Sequence, residues 1–217
     1  VEGDFSGPDH VDVFTANASN GYITVSDTDD ATVDFTNVLP TIDVTKTAYP
    51  TAVPETGGWV AFTFVVKNTS TEEPVTITSL EDSVYGTLAG EVGICEVGTV
   101  LEAGTECSFS ITKWVEGDYS GPDHVNMFTA KAVDNDNTEA TDSDDATVDF
   151  TDVPPAILVT KTADPTAVPE TGGDVTFTIT VENIGTEPVT LTGAVDTVFG
   201  PIDVSLFDKT YLPVGEK

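Results

Sequence analysis

Residues 174–183 read DVTFTITVEN, and residues 59–68 read WVAFTFVVKN. In the first stretch Val175, Phe177, Ile179 and Val181 alternate with Thr176, Thr178 and Thr180. In the second, Val60, Phe62, Phe64 and Val66 keep the same phase. Neighbouring side chains of a strand point to opposite faces, so this period of two, with threonine on the wet side, describes a half-buried antiparallel strand. HVDVFTA (10–16), HVNMFTA (124–130), ATVDFT (31–36 and 146–151), PVTIT (74–78) and PVTLT (188–192) read the same way. No stretch carries a 3.6-residue apolar stripe. Short strands separated by Pro, Gly, Asn and Asp predict an all-β chain built from Ig-like antiparallel β-sandwiches.

The two opening stretches are copies within a longer repeat. TKTAYPTAVPETGG at 45–58 returns as TKTADPTAVPETGG at 160–173, and DDATVDFT at 29–36 returns at 144–151. VEGDFSGPDH at 1–10 returns as VEGDYSGPDH at 115–124, and EEPVTITSLEDSVYG at 72–86 as TEPVTLTGAVDTVFG at 186–200. The period of about 115 residues is the size of a sandwich domain. The expected organisation is therefore tandem: the C-terminal part of one repeat over 1–39, a complete repeat over 40–153 and the N-terminal part of another over 154–217. Val38-Leu39-Pro40 and Val153-Pro154-Pro155 are the joints, and links this short and proline-stiffened predict a rod.

Charge narrows the partners. Against 38 Asp plus Glu the chain has 7 Lys plus Arg, a formal charge of −31. Such a field repels nucleic-acid phosphates and anionic membrane surfaces, and it suits divalent cations or a salt-adapted surface. No apolar run approaches the roughly 20 residues that span a bilayer. Two cysteines, Cys95 and Cys107, lie 12 positions apart without the CxxC or histidine company of a zinc site. A disulfide between them would contribute on the order of 3 kcal/mol. With the sequons at Asn17 and Asn68, it biases the reading towards an extracellular, oxidising setting.

The ordered series VTKTADPTAVPETGGDVTFTITVENIGTEPVTLTGAVDTVFG (159–200), GICEVGTVLEAGTECSFSI (93–111) and DNDNTEATDSDDATVDFT (134–151) resembles the Ig-like tandem repeats of bacterial and archaeal surface proteins, a family catalogued as a domain of unknown function. The resemblance implies a secreted, wall-attached or surface-layer stalk whose repeats meet neighbouring repeats or copies of themselves. It brings no catalytic residues. It also implies a paired-cysteine hairpin, which the last repeat lacks because Phe207 stands at the position of Cys95.

Four groups of residues merit a chemical reading. His10 and His124 occupy one repeat position, so a turn entering a strand accounts for them better than catalysis, and an enzyme is not expected. Asp134, Asp136, Glu139, Asp142, Asp144 and Asp145 fall within twelve residues, with Asp27, Asp29 and Asp30 in the first copy. Alternating hard oxygen donors suit Ca²⁺, although the spacing is not that of an EF-hand, and a solvated acidic loop explains them equally well. Lys46 shares a strand face with Ile42 and Val44, and an inward lysine needs a partner. A Lys46–Asp152 isopeptide crosslink, of the kind found in some pilin sandwiches, is one answer; a lysine snorkelling to a nearby carboxylate is the other. Finally Tyr22, Trp59 and Tyr85 are scattered aromatics available to a surface glycan or protein.

The functional expectation is thus a structural or adhesive extracellular segment, a rigid stalk or fibre at the cell surface. The alternatives are a glycan- or protein-binding module and a filament subunit. In the filament, the 154–217 segment of one copy supplies early strands and the 1–39 segment of the next supplies late ones.

Overall fold

A computed structural model describes residues 1–3 and 5–217. The described residues contain no α-helix, and strands in antiparallel sheets dominate, so the chain is an all-β sandwich protein. Its contacts divide it into two compact units. The first comprises Val1–Tyr49, Ala61–Lys113 and Val125–Thr147; the second comprises Pro50–Val60, Trp114–His124 and Val148–Lys217.

The first unit opens with a hairpin of β1 (His10–Ser19) and β2 (Thr24–Val33), paired in register from His10↔Val33 to Ser19↔Thr24. Asn20 shapes its turn, its Oδ1 accepting from Tyr22 N and Ile23 N at 2.9 Å. The chain then runs through β3 (Ile42–Tyr49), β4 (Ala52–Pro54), β5 (Gly58–Asn68), β6 (Val75–Asp82), β7 (Gly86–Thr87), β8 (Val100–Leu101), β9 (Glu106–Val115), β10 (His124–Val133) and β11 (Glu139–Thr151). One sheet has the order β3-β5-β9. The other runs β11-β10-β6-β7, with β8 also on β6. Because β5 buries alternate residues, Val66 and the rings of Phe62 and Phe64 are fully enclosed. Phe64 stacks on Phe109 of β9 at 4.8 Å and tilts against Phe128 of β10 at 4.7 Å, which joins the two sheets through one aromatic cluster. Each such ring withdrawn from water contributes roughly 1.5–3 kcal/mol.

The second unit takes the far end of β11, whose Asp149–Thr151 pairs in parallel with β4. It continues through β12 (Ile157–Asp164), β13 (Thr176–Asn183), β14 (Val189–Thr190), β15 (Ala194–Asp196), β16 (Gly200–Ile202) and β17 (Tyr211–Leu212). β12 pairs antiparallel with β13 from Ile157↔Asn183 to Asp164↔Thr176, the same register that joins β3 to β5. At the segment holding Phe207, a short 3₁₀ turn over Val204–Leu206 replaces the cysteine hairpin, with Asp203 Oδ1 accepting from Ser205 N at 2.9 Å.

Sequence copies thus adopt the same strands under different cover. Phe128 of β10 is wholly buried, whereas Phe14, at the same repeat position on β1, is 74% exposed. Every residue of β1 and β2 is exposed. In the second unit an open trough of about 500 Å³ beside β13 is lined by Phe177, Ile179, Leu191, Phe207 and Leu212.

Candidate functional site

The most unusual chemistry lies in the first unit's core. Strand alternation turns Lys46 inward from β3, beneath the rings of Phe62 and Phe64, whose centroids lie 5.3 and 5.5 Å from its Nζ. Asp82, the last residue of β6, meets it there: Nζ donates to Oδ2 at 2.6 Å, and neither side chain has any exposure. The other oxygen, Oδ1, accepts from Val84 N at 2.9 Å and Tyr85 N at 3.0 Å, so one carboxylate both caps a turn and faces the lysine. Asn126 of β10 completes the group. Its backbone oxygen accepts from Nζ at 2.9 Å, and its Nδ2 donates to both Asp82 oxygens at 3.2 and 3.1 Å. Its Oδ1 is buried without a hydrogen-bond partner among the described residues.

The electrostatics follow from the burial. Loss of water pushes the Lys46 ammonium below its ordinary pKa, against the hydrogen bond and charge of Asp82 and the charges of Asp145 and Asp144. Burial also pushes the Asp82 carboxyl up, but the bonds from Lys46, Tyr85 N and Val84 N together outweigh it and leave Asp82 below the usual carboxylate range. An ion pair this dry is costly to keep unless every remaining lone pair is served, and Asn126 Oδ1 is not.

The second unit carries the counterpart, without the enclosure. Lys161 of β12 pairs with Asp196 Oδ2, while Asp196 Oδ1 accepts from Val198 N at 2.9 Å and Phe199 N at 3.1 Å. Here the lysine side chain is 39% exposed. Among the described residues no carboxamide bonds to either partner.

Of the two readings of Lys46, the geometry has its Nζ on the carboxylate of Asp82, and no bond to Asp152 is found among the described residues. Asp152 is exposed just beyond β11, in the second unit, where its charge together with those of Glu55 and Asp118 helps raise the Glu187 carboxyl, after burial itself. On β11 itself Ala146, Val148 and Phe150 are buried and Asp149 is exposed.

The acidic stretch is put to several separate uses. Asp142 Oδ2 accepts from Val44 N at 2.8 Å and Asp144 Oδ2 from Lys46 N at 2.7 Å, so alternate carboxylates of β11 satisfy alternate amides on the open edge of β3. Glu139 pairs with Lys131 at 2.9 Å. Asp134 Oδ1 holds the β10–β11 turn, accepting from Asp136 N at 2.9 Å and Thr138 N at 2.8 Å. Within this stretch, Asp134 Oδ2 and Asp136 Oδ1 are buried without a partner among the described residues. Asp145, Asp27, Asp29 and Asp30 are exposed, and among the described residues no three or more such side chains gather as a metal site.

Cys95 and Cys107 form a disulfide with Cα atoms 5.3 Å apart. Gly90 makes the tight bend before it, at φ 74°, where a Cβ would lie 2.0 Å from Cys95 O. Trp59 is exposed, meeting Trp114 edge-on at 5.6 Å in the second unit. Tyr22 is exposed at the hairpin tip and Tyr85 is half-buried, tilted against Phe62.

The structural role of two asparagines escaped the sequence reading. Asn68 ends β5 fully buried, its Nδ2 donating to Glu73 O at 2.8 Å and Leu101 O at 2.9 Å. Asn183 ends β13 in the same way, donating to Glu187 O at 2.7 Å and Leu212 O at 2.9 Å. As a sequon, Asn68 is therefore unavailable to a glycan in the folded chain; its amide is a latch tying β5 to the loop and β8. Its recurrence in VVKN and TVEN was the signal.

No protein-family model matches the chain, and no curated protein matches it either. No helix among the described residues is long and apolar enough to cross a membrane.

Proposed function

We propose that the chain is a structural segment of an extracellular repeat protein, a stalk or fibre at the cell surface whose sandwiches keep their reach under load. One observation carries this reading: the motif at 45–58 returns at 160–173, and the strands around it pair in one register, β3 with β5 and β12 with β13. A unit that recurs in sequence and in strand register is the mark of a tandem array, in which each repeat contacts its neighbours. The disulfide and the resemblance to Ig-like repeats of bacterial and archaeal surface proteins support the extracellular setting. Protease shaving of intact source cells tests the reading. Peptides of this chain are expected in the shaved fraction, and their confinement to the cytosolic fraction would contradict it.

A filament joined by strand complementation is the second reading, favoured by the exposed hairpin in the first unit and the open trough beside β13 in the second. Light scattering should then show mass rising with concentration, and Phe14→Asp should abolish the rise. A monomer at all concentrations removes this alternative and leaves the stalk.

A further inference from the structure

The group of Lys46, Asp82 and Asn126 has the three components of an amide exchange. Its nucleophile is an amine stripped of water, its proton carrier is a carboxylate 2.6 Å away, and its acyl group is a carboxamide whose nitrogen bonds to that same carboxylate. All three are held in the core by different strands, β3, β6 and β10, so the groups meet only once the sandwich has formed. The Nζ is also tied to Asn126 through that residue's backbone oxygen at 2.9 Å.

We propose that Lys46 and Asn126 become joined by an isopeptide bond, formed by the folded protein itself with Asp82 moving the protons. Nζ attacks Cγ of Asn126, the new C–Nζ bond forms, the Cγ–Nδ2 bond breaks, and Nδ2 leaves as ammonia. Of the three ammonium protons, one remains on the new amide nitrogen, one departs with ammonia and one rests on Asp82. No oxidant or co-reactant enters. The products also suit the site better than the reactants. A buried ion pair is replaced by neutral groups among Phe62 and Phe64, and protonated Asp82 becomes a donor for Asn126 Oδ1, the oxygen that now lacks one. Asp82 is the carrier rather than the acyl group because its Oδ1 is held by two backbone amides and an ionised carboxylate resists attack.

The internal control is Lys161. It has the same aspartate partner but no carboxamide bonded to the pair among the described residues, so it stays an amine.

Mass spectrometry of the full chain, with the disulfide reduced, tests the proposal. The intact mass is expected to fall about 17 Da below the sequence mass, the weight of one ammonia. The peptide map should contain a branched species joining the Lys46 and Asn126 peptides, with Lys161 linear. Lys46→Met, Asn126→Ala and Asp82→Ala should each restore the full mass. A wild-type chain of full mass, a linear Lys46 peptide beside an ammonia loss elsewhere, or Lys46 joined to Asp82 with loss of water would each overturn it. Because the wild-type map decides alone, variants that fail to fold leave the test intact.

Discussion

Lys46–Asp82 and Lys161–Asp196 are two settings of one motif. In both, an aspartate caps the turn after its strand with one oxygen and meets the lysine with the other. In both, aromatic rings flank the ammonium: Phe62 and Phe64 in one, Phe177 and Phe199 in the other. What differs is the cover. β10 and β11 enclose the first site, adding Asn126 and the edge carboxylates Asp142 and Asp144, while Lys161 remains open to water. The same residues therefore make a sealed, reactive group in one place and a screened surface pair in the other. Local sequence sets the pair; the later hairpin sets its chemistry.

The largest expected difference between the two sites comes from removing the acid. Asp82→Ala leaves Lys46 an unjoined amine buried without its counter-charge, and should cost at least about 3–5 kcal/mol in denaturant unfolding. Asp196→Ala should cost far less, because water replaces the lost partner. Equal losses would break the comparison.

Asn68→Ala and Asn183→Ala provide the opposite check. The two latches make matching bonds, so each substitution should cost about 2 kcal/mol in its own unit. A loss at Asn68 alone would mean that the second unit is less ordered than its hydrogen bonds indicate.

Acid should produce a smaller, graded effect. The Lys161 bond, followed by the Val198 and Phe199 amides, lowers Asp196 from 3.8 to about 2. A carboxyl whose folded pKa is depressed stabilises above its unfolded value, so this contribution is complete above pH 3.8 and disappears as pH falls towards 2. An NMR titration of the Asp196 carboxyl checks it, and a midpoint at the ordinary value would show that the pair does not persist in water.

The smallest effect is expected from chelation. EDTA should leave the unfolding midpoint unchanged, because Asp142 and Asp144 already serve β3 amides and Glu139 serves Lys131. A downward shift would instead place an ion on Asp134 Oδ2 and Asp136 Oδ1.

Much of the fold was legible because its code is local. The alternation of Val60, Phe62, Phe64 and Val66 predicted a buried face, and all four are fully enclosed. Parity alone also turned Lys46 inward. Its partners were not legible in the same way, since Asp82 lies 36 residues away and Asn126 lies 80 away, and alternation says nothing about which strands become neighbours. A clue was present in the repeat: LEDSVYG and AVDTVFG keep an aspartate in step with the paired lysines. The acidic stretch left two readings open because composition cannot separate donors converging on an ion from donors strung along a strand edge. Asn68 misled for a related reason, since a sequon does not reveal that its amide is spent inside.

Native-state hydrogen exchange tests most directly the claim that cover by the β10–β11 hairpin distinguishes the two sites. Val44 N and Lys46 N donate to Asp142 and Asp144, and the site beneath them is sealed, so their amides should exchange orders of magnitude more slowly than those of Val159 and Lys161. Equal or reversed protection would contradict the account.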